Sequence, residues 1–185
     1  METHVVYQDY QWYAQPPDGA VSPDPCAETF KGFSPGDAPE NDVLSALSAQ
    51  LGDRSANPHG IRSYIDWHSY SQLILTPWGW SCKPEDLPET LPRMTEVAEG
   101  VAAAILAQSG QSYTTGPACE VLYFSTGTGR DYHHGVLNAT HSWTLELRPR
   151  TDAEGGFVLP PAQIWPTVKE QWAGQLWMLK EVWDD

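Results

Sequence analysis

Between Pro92 and Gln108, apolar residues return every third or fourth position: Met94, Val97, Ala98, Val101, Ile105 and Leu106. That spacing puts them on one stripe of a helix, with Pro92 in the first turn, where its missing N–H has no partner to lose. A stripe this long must be covered by another element. The segments around it are rich in branched and aromatic residues: IRSYIDWHS (61–69), EVLYF (120–124) and HSWTLELR (141–148) read as strands. Two more helices are expected. One runs from Glu40 to Leu51, with Val43, Leu44, Leu47 and Leu51 on one face. The other starts at Thr167, where TVKE has the form of a capping box joining Thr167 and Glu170. Val168, Trp172, Leu176 and Leu179 follow along one face of it. The order helix, strand, helix, strand, strand, helix predicts an α/β sheet covered by helices. Three strands make a thin sheet, so either strands escape this reading or the sheet is part of a larger one.

Residues 1–39 are rich in Pro, Gly and Asp and read as irregular. No repeat or linker divides the chain, so residues 1–185 read as a single domain. Apolar residues make up 41 % of it, enough for a core. A formal charge of −14 opposes nucleic acid and anionic membranes, which attract basic patches. No stretch is long and apolar enough to cross a bilayer. The start, METHVVYQDYQWYAQ, lacks the basic and greasy parts of a signal peptide.

Cys26, Cys82 and Cys119 form no CxxC pair, which argues against a zinc knuckle. Cys82 and Cys119 flank one helical segment and are candidates for a disulfide if the chain is secreted, leaving Cys26 over; three buried thiols is the alternative. Asn138-Ala139-Thr140 has the form of a glycosylation acceptor, a triplet that also arises by chance.

Polar groups near strand ends are the candidates for chemistry, because α/β folds place ligands there. His68 ends the first strand, followed by Ser69 and Tyr70. A lone histidine on such a strand is more often a core residue than a ligand. Glu146 lies between Leu145 and Leu147, so it faces away from both. Its plainer reading is a salt bridge with Arg148, two residues on and on the same side. Tyr123 opens YFSTGTGRDYHHG, whose glycines signal a tight loop but not a phosphate loop, since no GK[ST] follows. Its adjacent His133 and His134 read as a solvated pair.

Taken together, IDWHSYSQLILTPWGW, GPACEVLYFSTGTGRDY, THSWTLELRPR, GGFVLPPAQIWPT and DPCAETFKG resemble the zinc metallocarboxypeptidases of the carboxypeptidase A and B type. The fungal secreted members are the most similar. The resemblance runs from about Tyr10 to the C-terminus. It implies the C-terminal part of a mixed eight-stranded sheet with flanking helices, an extracellular location, a zinc cofactor, and peptide or protein C-termini as substrates. His68 falls on the family's third zinc ligand, and zinc takes imidazole nitrogen readily. Glu146 falls on the glutamate that takes a proton from zinc-bound water and passes it to the leaving amine. Tyr123 falls on the mobile tyrosine, while Ser69 and Tyr70 fall on the substrate groove. Arg130 falls on the base of the specificity pocket. A guanidinium there implies preference for C-terminal Glu or Asp, through paired hydrogen bonds to the carboxylate. The alternative is that Arg130 bonds Asp131 or Glu120 and faces solvent.

Three departures matter. No histidine begins an HxxE motif, the source of the family's other two ligands. Tyr7-Gln8-Asp9 stands where the family clamps the substrate carboxylate with Asn-Arg, making residues 1–9 an atypical start. Pro149 replaces the usual Asp after ELR. One imidazole does not hold catalytic zinc, which takes three protein ligands. Asp66, on the same side of the strand as His68, is a speculative substitute. The expectation is an incomplete peptidase-like domain, inactive alone and needing a missing N-terminal half or associating through exposed sheet. A non-catalytic peptide-binding remnant and an incomplete gene product are the alternatives.

Overall fold

The computed structural model describes residues 21–183 apart from Lys31 and Pro35. The reading at Tyr7-Gln8-Asp9 lies outside the described residues, as does His4, one of the histidines that begin no HxxE motif. Helix α1 is Pro39–Gly52, strand β1 Ser63–Ser69 and strand β2 Leu73–Thr76. Helix α2 is Leu91–Ser109, strand β3 Thr114–Pro117 and the short helix α3 Ala118–Val121. Helix α4 is Gly129–Gly135, strand β4 His141–Leu147 and helix α5 Ile164–Glu181. The strands lie in the order β1-β4-β2-β3, and β2 runs antiparallel to β4 with Leu73 opposite Glu146.

Two compact units share the chain. The first takes the described residues up to Tyr64, Pro77–Pro88 and Pro117–Ser142; the second takes Ile65–Thr76, Glu89–Gly116 and Trp143 onward.

The second unit holds the main apolar cluster. Ile74 of β2 and Trp143 and Leu145 of β4 pack with Val97, Val101 and Ile105 of α2 and Met178 of α5. The α2 stripe is buried as its spacing predicts, except Leu106, which is half exposed. Close approach of α2 and α5 depends on glycine. A methyl at Gly100 would overlap the Trp177 ring, and one at Gly174 would press on Val101 and Ile105. Strand β2 escaped the pattern reading because LILT is only four residues long and buried throughout, so it shows no alternation.

Helix α5 corrects the sequence reading twice. It begins at Ile164, one turn before Thr167. The Thr167 hydroxyl donates back to the Gln163 carbonyl, while the Glu170 carboxylate binds Arg148 and Tyr113, so no capping box forms. The face that packs carries Thr167, Glu170, Gln171, Gly174 and Met178. Val168, Trp172, Leu176 and Leu179 lie on the exposed side. Trp67 of β1, with Val168 and Trp172, lines an apolar groove of about 430 Å³.

The first unit is held differently. Cys82 and Cys119 are joined by a disulfide, and Cys26 is exposed. The segment EVLYF is not a strand: Ala118–Val121 makes a helical turn and the chain then runs irregularly. Its β propensity loses to tertiary ties, because Cys119 is bonded to Cys82 and its N–H donates to the Trp78 carbonyl. Helix α1 forms where expected, yet Val43, Leu44, Leu47 and Leu51 are exposed, and its buried residue is Ser45.

Candidate functional site

Strand β1 delivers Asp66 and His68 to one side, two residues apart, and β4 brings Glu146 to them. The His68 Nε2 is 3.2 Å from Asp66 Oδ2, and its Nδ1 is 3.6 Å from Glu146 Oε1. The second distance exceeds a hydrogen bond, so Glu146 is an electrostatic neighbour of the ring. His68 is half exposed, whereas Glu146 is 8 % exposed. A recessed carboxylate facing a solvent-reached imidazole is suited to moving protons at the mouth of a sheet.

The salt bridge expected between Glu146 and Arg148 is absent from this arrangement. The Arg148 Nε donates to Glu170 Oε1 at 3.0 Å, its NH1 to Gln163 Oε1 at 2.8 Å, and its NH2 bonds Glu170 Oε2 as well. Glu170 is wholly buried and also accepts from the Tyr113 hydroxyl at 3.0 Å. Burial and the Glu170 charge push the Tyr113 hydroxyl well above the ordinary phenol range. This network fixes the end of β4 beyond Glu146.

Past His68 the chain turns sharply. Ser69 ends β1, and Ser71 and Gln72 take positive φ values of 147° and 58°. Both of their amides donate to the Leu147 carbonyl, and the Gln72 side chain donates to Gln111 and Ser112. Those bonds hold a backbone conformation that non-glycine residues rarely adopt. Tyr70 packs edge-on against Phe157, with ring centres 4.9 Å apart.

Tyr123 and Arg130 belong to the first unit. Tyr123 is exposed. Arg130 sits in the first turn of α4 and is 2 % exposed, so it does not face solvent. Its Nε donates to Asp131 Oδ1 at 2.8 Å and its NH2 to Thr128 Oγ1 at 3.3 Å. Asp131 also accepts from the Gly79 amide at 2.9 Å, so one buried carboxylate aims the guanidinium and anchors it to the loop at Gly79. Sequence reasoning met Asp131 only as a competing partner. Its adjacency to Arg130 was the available signal. His133 is not solvated: it stacks on Tyr64, and its ring bonds the Gly129 carbonyl and Ser48.

Residues 7–174 match the sequence profile of the zinc carboxypeptidase family, Peptidase_M14. The chain belongs to this zinc carboxypeptidase family. Metallocarboxypeptidase A of Trichophyton tonsurans is 40 % identical over 173 residues, which cover 94 % of this chain and 38 % of that protein. Carboxypeptidase A2 of Rattus norvegicus is 34 % identical over 175 residues, 94 % of this chain and 38 % of that protein. Bovine thrombin-activatable fibrinolysis inhibitor, solved in complex with tick carboxypeptidase inhibitor, superposes with a TM-score of 0.76 at 27 % identity, over 88 % of this chain and 51 % of that one. The α/β fold with flanking helices is therefore a zinc carboxypeptidase fold. The chain spans less than two-fifths of the length of the curated relatives it matches here.

Zinc is the family's cofactor. Among the described residues, no group of three or more His, Cys, Asp and Glu side chains converges to hold a metal ion. Each nitrogen of the His68 ring faces a carboxylate. The described donors of this zinc carboxypeptidase chain thus do not fit a catalytic zinc ion, which needs three protein ligands.

Proposed function

We propose that this chain carries the acid–base and side-chain-selecting part of a zinc-dependent metallocarboxypeptidase, a hydrolase that removes residues from peptide and protein C-termini. The observation that carries the reading is the pairing of recessed Glu146 with His68 at the end of β1. Glu146 takes the proton of the attacking water and returns it to the leaving nitrogen. His68 is the one imidazole this stretch offers toward a metal centre. Tyr123 closes over the substrate's last residue, and Ser69 and Tyr70 line its groove. Arg130, oriented by Asp131, pairs with an acidic terminal side chain, so C-terminal Glu or Asp is preferred. Secretion is part of the same reading, and the Cys82–Cys119 disulfide supports it, since such bonds are characteristic of oxidising compartments. The 185-residue chain alone is inactive.

A chimera tests this, with the chain replacing the matching part of the Trichophyton tonsurans relative. Glu-terminated peptides should be cleaved faster than Leu-terminated ones, and Arg130→Ile should reverse that order. Glu146→Gln should lower kcat by roughly 10²–10⁴. Faster Leu release with Arg130 intact removes the specificity reading; undiminished turnover without Glu146 removes the catalytic one. The chain alone should show no turnover and no stoichiometric zinc; tight zinc would refute the incomplete metal site, and turnover would refute its inactivity.

A second reading rests on the exposed apolar groove at Trp67, Val168 and Trp172. An apolar groove of this kind beside an edge strand takes a further polypeptide segment, either a completing half or another copy. Sedimentation of the purified chain tests it: a monomer at every concentration, with Trp67 and Trp172 fully quenchable by a soluble quencher, excludes self-association.

A further inference from the structure

Asn138 stands in the turn that leads from α4 to β4. Its neighbours are tucked away: Leu137 is 8 % exposed and Ala139 is wholly buried, while Asn138 between them is exposed. Two bonds pin this arrangement. The Ala139 N–H donates to the His133 carbonyl at 2.9 Å, and the Ala139 carbonyl accepts from the His134 ring nitrogen Nδ1 at 2.9 Å. Asn138 takes φ +54°, a left-handed conformation in which asparagine is favoured among non-glycine residues. The side chain therefore projects alone from a turn fixed on both sides.

Of the chain's asparagines, Asn41 is followed by Asp-Val, Asn57 by Pro-His, and Asn138 by Ala-Thr. Only the last meets the N-x-[ST] requirement. The left-handed turn explains why asparagine stands at 138, but it makes no demand for threonine two residues later. The same unit holds the Cys82–Cys119 disulfide, a mark of the oxidising secretory lumen in which asparagine-linked sugars are added.

We propose that Asn138 is the acceptor of an N-linked oligosaccharide, a reading that rests on the secretory location proposed above. The co-reactant is an oligosaccharide carried on a polyprenyl diphosphate, and a transferase of the lumen supplies catalysis. The side-chain amide nitrogen attacks the anomeric carbon of the first sugar. An N–C bond forms, the anomeric C–O bond to the diphosphate breaks, the lipid diphosphate leaves with the electron pair, and the amide proton goes to base. Nothing is oxidised or reduced. The glycan points into solvent, because the residues that pack the turn are Leu137 and Ala139, not Asn138.

The full chain, produced in a yeast behind a cleavable leader, tests the assignment. The expected result is a heavier protein whose extra mass peptide-N-glycosidase removes, leaving aspartate at position 138. Asn138→Gln and Thr140→Ala should both lose the shift. Thr140→Ala keeps asparagine at the left-handed position, so it separates loss of sugar from backbone strain. Glycan is added before folding is complete, so chain retained in the lumen is assayed equally. Luminal chain with the leader removed, the Cys82–Cys119 bond formed and Asn138 bare overturns the proposal. Cytosolic residence of the protein in its own cell would instead overturn the secretory reading and the native glycan with it, whereas bare luminal Asn138 overturns the acceptor assignment alone.

Discussion

The two units are stabilised by different means. The second has two long helices, most of the sheet and a contiguous apolar cluster running from Ile74 to Val182. The first has short helices, a disulfide and a set of polar ties, and the apolar stripe of its longest helix is exposed. Trp78 Nε1 donates to the Asp86 carbonyl at 2.7 Å, the Ser125 amide to the Gly79 carbonyl at 2.8 Å, and the Ser142 hydroxyl to the Arg130 carbonyl at 2.6 Å. Burial is non-directional and tolerates small shifts, whereas such ties fix particular atoms. The unit that holds Arg130 in place is the one built from ties.

The largest effect should come from the apolar unit. Trp143 is nearly fully buried in the cluster, so Trp143→Ala should cost about 3–5 kcal/mol in urea unfolding. Leu44→Ala on the exposed stripe of α1 should stay within roughly 0.5 kcal/mol of the parent. A Leu44→Ala cost matching that of Trp143→Ala would break the comparison, since it would mean the α1 stripe is covered in solution.

Removing the disulfide should come next. The bonded cysteines are 37 residues apart, and opening a loop of that size costs about 2–4 kcal/mol. The paired Cys82→Ser and Cys119→Ser variant should lose amide protection first around Trp78, Cys119 and Ser125. Protection in α2 and α5 should persist. Equal loss in both units would show that the ties of the first also carry the second.

The same division separates what was legible in the sequence from what was not. Helix α2 could be read because its side chains alternate between a packed and an open side, and period follows from packing; strand β4 is buried along nearly its whole length, so its branched and aromatic residues marked it rather than alternation. The helix at Glu40–Leu51 could be placed, but the face it buries could not: its apolar stripe is open and Ser48 is bonded to His133. EVLYF misled because a disulfide and one backbone bond override its strand propensity. TVKE misled because Glu170 has a stronger partner in Arg148 than in a helix-start amide. His68 and Glu146 were singled out by the motifs that carry the family resemblance, and the fold brings them within 3.6 Å of each other. Asp131, which aims Arg130, carried no motif and became visible only through its contacts.

A smaller effect should appear at alkaline pH in the second unit. The Tyr113 hydroxyl donates to buried Glu170 and accepts from Gln171 Nε2 at 2.9 Å, and its proton is held past the usual phenol range. An unfolded tyrosine ionises near pH 10. Below about pH 10 both states keep the proton and stability is indifferent to it; above, only the unfolded chain releases it, so stability falls as pH rises. Tyr113→Phe should cost about 1–3 kcal/mol at neutral pH, because Glu170 and Gln171 each lose a partner. It should also flatten the alkaline decline in urea midpoint relative to the parent. An unchanged slope would mean the hydroxyl reaches water.

The smallest effect should come from a single polar tie at the end of α1. The Asp53 carboxylate accepts from the Ser55 amide at 2.9 Å and from the Ser55 hydroxyl at 2.7 Å. The hydroxyl bond, then the amide bond, hold its carboxyl below the usual carboxylate range. A lowered folded value means the contribution is present at neutral pH and is lost as pH falls through it. Ser55→Ala deletes the larger cause and keeps the smaller, so the Asp53 midpoint in an NMR titration should move upward without returning fully to the unfolded value. Because Asp53 is open to water, the global melting temperature should barely respond. A midpoint that stays put would show that the hydroxyl prefers solvent, and that the ties of the first unit hold only where, as at Asp131, they are buried.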